Sequence, residues 1–159
     1  MNGFLSYSHE DHRLYTGFRS HLAAIKRAFD LDIWTDHQIE VGTAWDARIA
    51  AAIKAAQVFV LLITPDFIAS DYVNDMEIPA IREQRRSAGA LLLPVVLKRC
   101  SWQSVAAALQ AAPTENGRVK PVTDWPRQND GFDRAREQMM AAIEGHFGTS
   151  RKRLDWGVP

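Results

Sequence analysis

The segment "VFVLLI", Val58 to Ile63, constrains the fold more than any other stretch of the chain. It is apolar without interruption, partly β-branched, and far too short to span a membrane as a helix. Gln57 closes it on one side and Thr64-Pro65-Asp66 on the other. A strand open to water on one face alternates apolar and polar side chains, whereas one covered on both faces need not. The run therefore predicts a central strand of a parallel sheet, and parallel neighbours need crossover connections, usually helices.

The flanking sequence supplies those connections. Phe4-Leu5 opens a first strand. From Asp11 to Phe29, the residues Leu14, Phe18, Leu22, Ile25 and Phe29 recur at helical spacing. "LDIWTD" (Leu31 to Asp36) reads as a second strand, followed by a polar loop and a small helix from about Trp45 to Ala56 that turns Ile49 and Ile53 inward. A helix occupies much of Tyr72 to Arg86, and "LLLPVVL" (Leu91 to Leu97) is a fourth strand. Pro94 removes a ladder donor there, which points to an edge or a bulge. An Ala-rich helix (Ser104 to Ala112), a weak strand near "VKPVTDW" and a last helix carrying Phe132, Met139, Ile143 and Phe147 complete the chain. This alternation predicts a doubly wound, three-layer α/β domain with about five parallel strands. The domain is expected over residues 1–147, with 148–159 a frayed tail or the start of a linker to a further domain.

Bulk properties narrow the function. With 159 residues, 47% hydrophobic and 24% charged, the chain is long enough for one domain with a sizeable core. Nineteen basic and nineteen acidic residues cancel, so no global field calls for nucleic acid or an anionic membrane. A single cysteine, Cys100, excludes an internal disulfide framework and suits a reducing cytoplasm. No apolar run of membrane-spanning length and no secretory leader pattern occurs, so a soluble cytoplasmic domain is expected. Neither a G-x-G-x-x-G nor a P-loop follows any strand, and no G-x-S-x-G elbow is present. His9 and His12 stand three apart with no third ligand at metal-site spacing, so no metal centre is expected. Cys100 lies beside Lys98 and Arg99, which favours its thiolate, although a packed inert thiol is the ordinary state of such a residue.

Two places carry more chemistry than folding requires. "FLSYSHEDH" (Phe4 to His12) turns abruptly polar where the first strand should end, and in open α/β sheets ligands bind beyond the carboxyl ends of the strands. A plainer reading is that Ser8 or Asp11 caps the next helix. The second place is Glu77. At 100° per residue, Val73, Met76, Ala80 and Ile81 share one helix face, and Glu77 falls near its middle. A carboxylate there is either desolvated and partnered, open to a cleft, or turned out to solvent at the end of the stripe. Pro79 fits only the first turn of a helix, so the regular helix is expected to begin near Asp75.

Taken in order, "FLSYSHEDH", "IWTDHQIEVGTAW", "VFVLLITPDFIASDY" and "SDYVNDMEIPAI" resemble the successive motifs of a Toll/interleukin-1 receptor (TIR) domain, over about Gly3 to Phe147. The resemblance is to the bacterial, NAD-consuming type. It implies a flavodoxin-like fold and a catalytic glutamate at Glu77. Ser6, Tyr7 and Ser8, the loop residues Asp36 and Gly42, and the aromatics Trp45 and Tyr72 would bind substrate. Trp34 is a further stacking candidate that reads more simply as a core aromatic. The implied reaction cleaves the nicotinamide–ribose bond of NAD+ as substrate, with no separate cofactor, to ADP-ribose or a cyclic isomer. It also implies self-association through the loop 37–44, a sensor domain in the native protein, and a role in bacterial antiviral defence. Two departures stand out. Tyr72 and Val73 occupy the positions where members often carry an aromatic and a cysteine, and Pro79 directly after the glutamate segment is unusual. The alternative reading is a non-catalytic module that signals through TIR–TIR contacts.

Overall fold

A computed structural model of the chain describes residues 1–35 and 45–153. Strand β1 (Asn2–Ser6) leads through a 3-10 turn (His9–Asp11) into α1 (His12–Phe29), and β2 (Asp32–Thr35) follows. Then come α2 (Trp45–Ala55), β3 (Val58–Ile63), α3 (Pro65–Ala69), and a π-helical turn (Val73–Glu77) that runs directly into α4 (Ile78–Ala88). The chain continues through β4 (Leu91–Val96), the short α5 (Gln103–Ala106), β5 (Thr114–Glu115), β6 (Arg118–Val119), a 3-10 turn (Val122–Asp124) and α6 (Gln128–Phe147).

Four parallel strands form the sheet in the order β2-β1-β3-β4. The "VFVLLI" segment is an interior strand, flanked by β1 and β4, and every one of its residues is buried. Its alternate side chains feed two separate cores. Val58, Val60 and Leu62 join Phe18, Leu22 and Ile25 of α1 and Phe132, Met139 and Ile143 of α6. Phe59, Leu61 and Ile63 join Ile49 and Ile53 of α2, Phe67 of α3, and Ile78 and Ile81 of α4. This is the three-layer arrangement that an uninterrupted apolar strand demands.

Among the described residues the sheet has four strands where about five were expected. Ala112 makes an isolated parallel bridge to Val95, its N–H bonding to Pro94 O (2.9 Å) and its carbonyl accepting from Val96 (2.8 Å). That pull ends the Ala-rich helix early, at Ala106 rather than Ala112. The chain then enters a two-residue hairpin at Asn116-Gly117, whose φ values of 52° and 76° are those of a type I′ turn. Arg118–Val119 therefore pairs with Thr114–Glu115 and does not extend the main sheet. Pro94 does lie on an edge strand; its nitrogen shares parity with Val96, which faces outward to Ala112, so no bond to β3 is lost.

Two further expectations, the start of the helix and the inward place of Met76, are corrected. The regular helix does not begin near Asp75: helical backbone starts at Asp71, passes through the π turn, where Ile78 N–H bonds to Val73 O, five residues back, and becomes a regular α-helix only at Ile78. The widened turn precedes Pro79, which cannot donate and whose ring would crowd a regular preceding turn. The extra residue also rotates the register. Met76, placed inward by a regular helix, is 51% exposed, while Ile78 is buried in its stead. The tail beyond α6 is held at its start, since Arg151 pairs with Glu137 (2.8 Å) and Glu144 (2.7 Å), and Lys152 N–H bonds to Ala28 O.

Candidate active site at the carboxyl edge of the sheet

The strand order reverses between β1 and β3, and the connections leaving these two strands pack on opposite faces. In doubly wound sheets the crevice beyond such a switch point is where ligands bind. Ser6 ends β1 there, and Glu77 arrives from the segment after β3.

Both residues are buried, Ser6 at 3% and Glu77 at 3% exposure, and the Ser6 hydroxyl donates to Glu77 Oε2. The contact has a simple origin. Alternation along β1 puts Ser6 on the same face as Phe4, in the α2/α4 layer, and the π turn brings Glu77 inward between Val73 and Ile78. Thus the glutamate in the apolar stripe does not escape to solvent. It is desolvated and partnered, at a π turn of the kind frequent at functional sites.

Tyr7 and Ser8 go elsewhere. Tyr7 faces the opposite layer, stacks on Tyr15 (4.4 Å between ring centres), and places its hydroxyl 3.4 Å from His12 Nδ1. Ser8 caps the 3-10 turn, its oxygen accepting from Glu10 N–H at 3.4 Å. Tyr72 is half-buried against the α2/α4 core, as is Trp34, which stacks on Phe4 with ring centres 5.4 Å apart. Trp45 opens α2. Asp36, Gly42 and the loop 37–44 lie outside the described residues.

Asp11 stands at the N-cap position of α1, but its side chain makes no capping bond there. It is 2% exposed and joins three strand ends: Thr64, directly after β3, donates its hydroxyl to Asp11 Oδ2, and Lys98, just past β4, brings Nζ to 3.1 Å from Oδ1. Oδ1 meets the ammonium as a charge contact without hydrogen-bond alignment. Thr64 also accepts from Phe67 N–H (3.0 Å) as the N-cap of α3. Sequence reasoning missed this cluster. The Thr-Pro-Asp cap signature was readable, but the pairing of Asp11 with Lys98 depends on the strand order. Burial pushes the Cys100 thiol above its ordinary value, against a weaker opposing bond involving the Trp102 backbone, in keeping with an inert thiol. Among the described residues no group of three His, Cys, Asp or Glu side chains is arranged to hold a metal, and no helix is long and apolar enough to cross a membrane.

A parallel α/β domain with helices on both faces of its sheet belongs to the class of doubly wound folds. The family is narrower: the TIR-domain family model matches residues 4–140, and the chain belongs to that family. It is 33% identical over 130 residues to the uncharacterized protein y4lF of Sinorhizobium fredii, covering 81% of this chain but spanning only 39% of that protein's length. A similar solved structure is the TIR domain of the Toll-related receptor TRR-2 from Hydra magnipapillata, with a TM-score of 0.45 and 13% identity. That match covers 62% of this chain and 72% of the receptor domain.

Proposed function

We propose that this TIR domain is of the bacterial, NAD-consuming type and cleaves the nicotinamide–ribose bond of NAD+, with Glu77 as the catalytic carboxylate. The observation that carries the reading is the Ser6–Glu77 pair, a buried carboxylate held by a strand-end hydroxyl at the switch point of the sheet. One carboxylate suffices for this bond. A glycosidase needs a second to protonate its leaving oxygen, whereas nicotinamide leaves a pyridinium as a neutral molecule and takes the bonding pair with it. An oxocarbenium-like ribose remains, and a fixed anion stabilises it. Water then adds at the anomeric carbon and loses a proton to give ADP-ribose; capture by an atom of the same nucleotide gives a cyclic isomer. Ser6 holds the carboxylate and, with Asp36, Gly42, Trp45 and Tyr72, remains a proposed substrate-binding residue, whereas Tyr7, in the opposite layer, and Ser8, capping the 3-10 turn, shape this edge of the fold.

TIR domains self-associate, and we propose that this one is active only when assembled through the loop 37–44, inside a cytoplasmic protein that carries a sensor domain and serves antiviral defence. A relative of which this chain spans 39% leaves room for such a domain.

The second reading, a non-catalytic interaction module, has the more direct backing of family membership. The low exposure of Glu77 also favours it, because a purely structural carboxylate would be held in the same way. Nicotinamide release from NAD+ by concentrated protein separates the two. The expected result is turnover in the wild type and a loss of about a hundredfold or more in Glu77→Gln with the fold retained. A folded, concentrated wild type that releases no nicotinamide would leave the interaction module as the function.

A further inference from the structure

A cavity of about 540 Å³ opens on the side of the sheet away from Glu77, between α1 and the edge strand β2. Leu22 and Ile33 form its apolar floor, Tyr15 borders it, and Ser20 and Thr35 bring hydroxyls. Arg19 and Lys26 supply its charge. These two lie seven positions apart on α1, so they differ by only about 20° around the axis and stand about 10 Å apart along it. Two long cationic side chains on one line of a helix can close on a single anionic group from its two ends.

Both cations are exposed, and among the described residues no side-chain hydrogen bond or ion pair engages either one. No acidic side chain among the described residues lines the cavity. Lys26 also borders a neighbouring groove with Asp30 and Asp32, yet it pairs with neither, and the Asp30 carboxylate is taken by Lys152. Some surface cations are paired, as Arg86 is with Glu83 and Arg136 with Asp133; what sets Arg19 and Lys26 apart is that both line one cavity. A concave site of ligand size with two cations that have no ion pair among the described residues, hydroxyl groups and an aromatic border fits a phosphorylated small molecule.

We infer that the α1/β2 cavity binds a phosphorylated small molecule of nucleotide size, with Arg19 and Lys26 holding the phosphates. The site is separate from Glu77 and does not depend on NAD+ cleavage. Tyr15 connects the two regions physically, because it borders the cavity and stacks on Tyr7, the residue after Ser6.

Calorimetric titration of the full chain with ADP, and with adenosine as the uncharged control, tests the inference. ADP should bind and adenosine should not, and the ADP affinity should fall as salt is raised. Arg19→Gln and Lys26→Gln should each weaken ADP by about tenfold, the value of one charge-assisted contact. Both residues are exposed, so the fold should survive, as circular dichroism would verify. Glu77→Gln should bind ADP as the wild type does, and the Arg19 and Lys26 variants, on the other side of the sheet, locate the site. Lys54→Gln/Arg82→Gln, a pair of exposed cations in the other helical layer, should also leave ADP binding unchanged. Absence of ADP binding at millimolar concentration, or equal binding by the Arg19→Gln/Lys26→Gln variant and the wild type, would overturn the assignment.

Discussion

The Asp11 cluster offers the sharpest test of how the carboxyl edge is held together. Asp11 has no solvent exit: its side chain is fully buried, whereas that of Lys98 remains 41% exposed. Removing either partner should therefore cost unequal amounts. Lys98→Met strands a carboxylate whose remaining partner among the described residues is the Thr64 hydroxyl, and breaking a buried pair in this way costs about 3 kcal/mol or more. Asp11→Asn frees an ammonium that can turn to water, so its cost is that of a charged hydrogen bond, about 2 kcal/mol. The amide can still accept from Thr64 and keep α3 capped. Combining the two substitutions removes both charges and should cost about 2 kcal/mol, well short of the sum. At this chain length the Lys98→Met loss corresponds to a drop in Tm of about 6–12 °C. Urea unfolding followed by tryptophan fluorescence and far-ultraviolet dichroism measures all four corners of the cycle. Lys98→Met costing less than Asp11→Asn, or additive losses in the double variant, would refute the view that Asp11 is a buried charge dependent on Lys98.

Activity per molecule should rise with protein concentration, and Gly42→Pro should suppress it without unfolding the chain; full activity in the dilute protein would count against assembly. Ser6→Ala should lower kcat by about tenfold with little change in KM, and Ser6→Thr should recover it, since the hydroxyl orients Glu77 and need not touch substrate. Gly131→Ala should cost about 1–3 kcal/mol, because the added carbon meets Trp125 Cδ1 at 2.9 Å and Val122 Cα at 3.1 Å. The Trp125 ring cannot easily retreat, as its Nε1–H is bonded to Lys120 O at 3.0 Å; urea midpoints would show the loss. The hydrogen bond from Arg151, aided by Arg136 against slight burial, holds the Glu137 carboxyl below its usual range. A lowered carboxyl stabilises the fold above its unfolded value and loses that contribution as pH falls through the folded value. The Tm gap between wild type and Arg151→Ala should therefore narrow on going from about pH 7 to about pH 3, and a constant gap would contradict the pairing.

Local chemistry determined much of this protein. An uninterrupted apolar run cannot leave a face in water, so Val58–Ile63 was bound to be an interior strand whatever surrounded it. The stripe from Phe18 to Phe29 had one way to bury itself, along the face of a helix. Glu77 was conspicuous because a carboxylate breaks an apolar face, and that conflict is local too. Its outcome was not. Whether it reached water or a partner depended on β1 lying beside β3 and on the parity that turns Ser6 toward α4. The same parity sent Tyr7 to the opposite layer, although the two residues are adjacent in sequence. Met76 was misread because a regular period was applied across a π turn, and a single extra residue in a turn moves every later side chain around the axis. Asp11, Thr64 and Lys98 follow three different strands, and only the order of those strands brings them together. Burial pattern is written residue by residue, whereas a partner across the sheet is decided by topology, because proximity between distant segments exists only once the strands have paired.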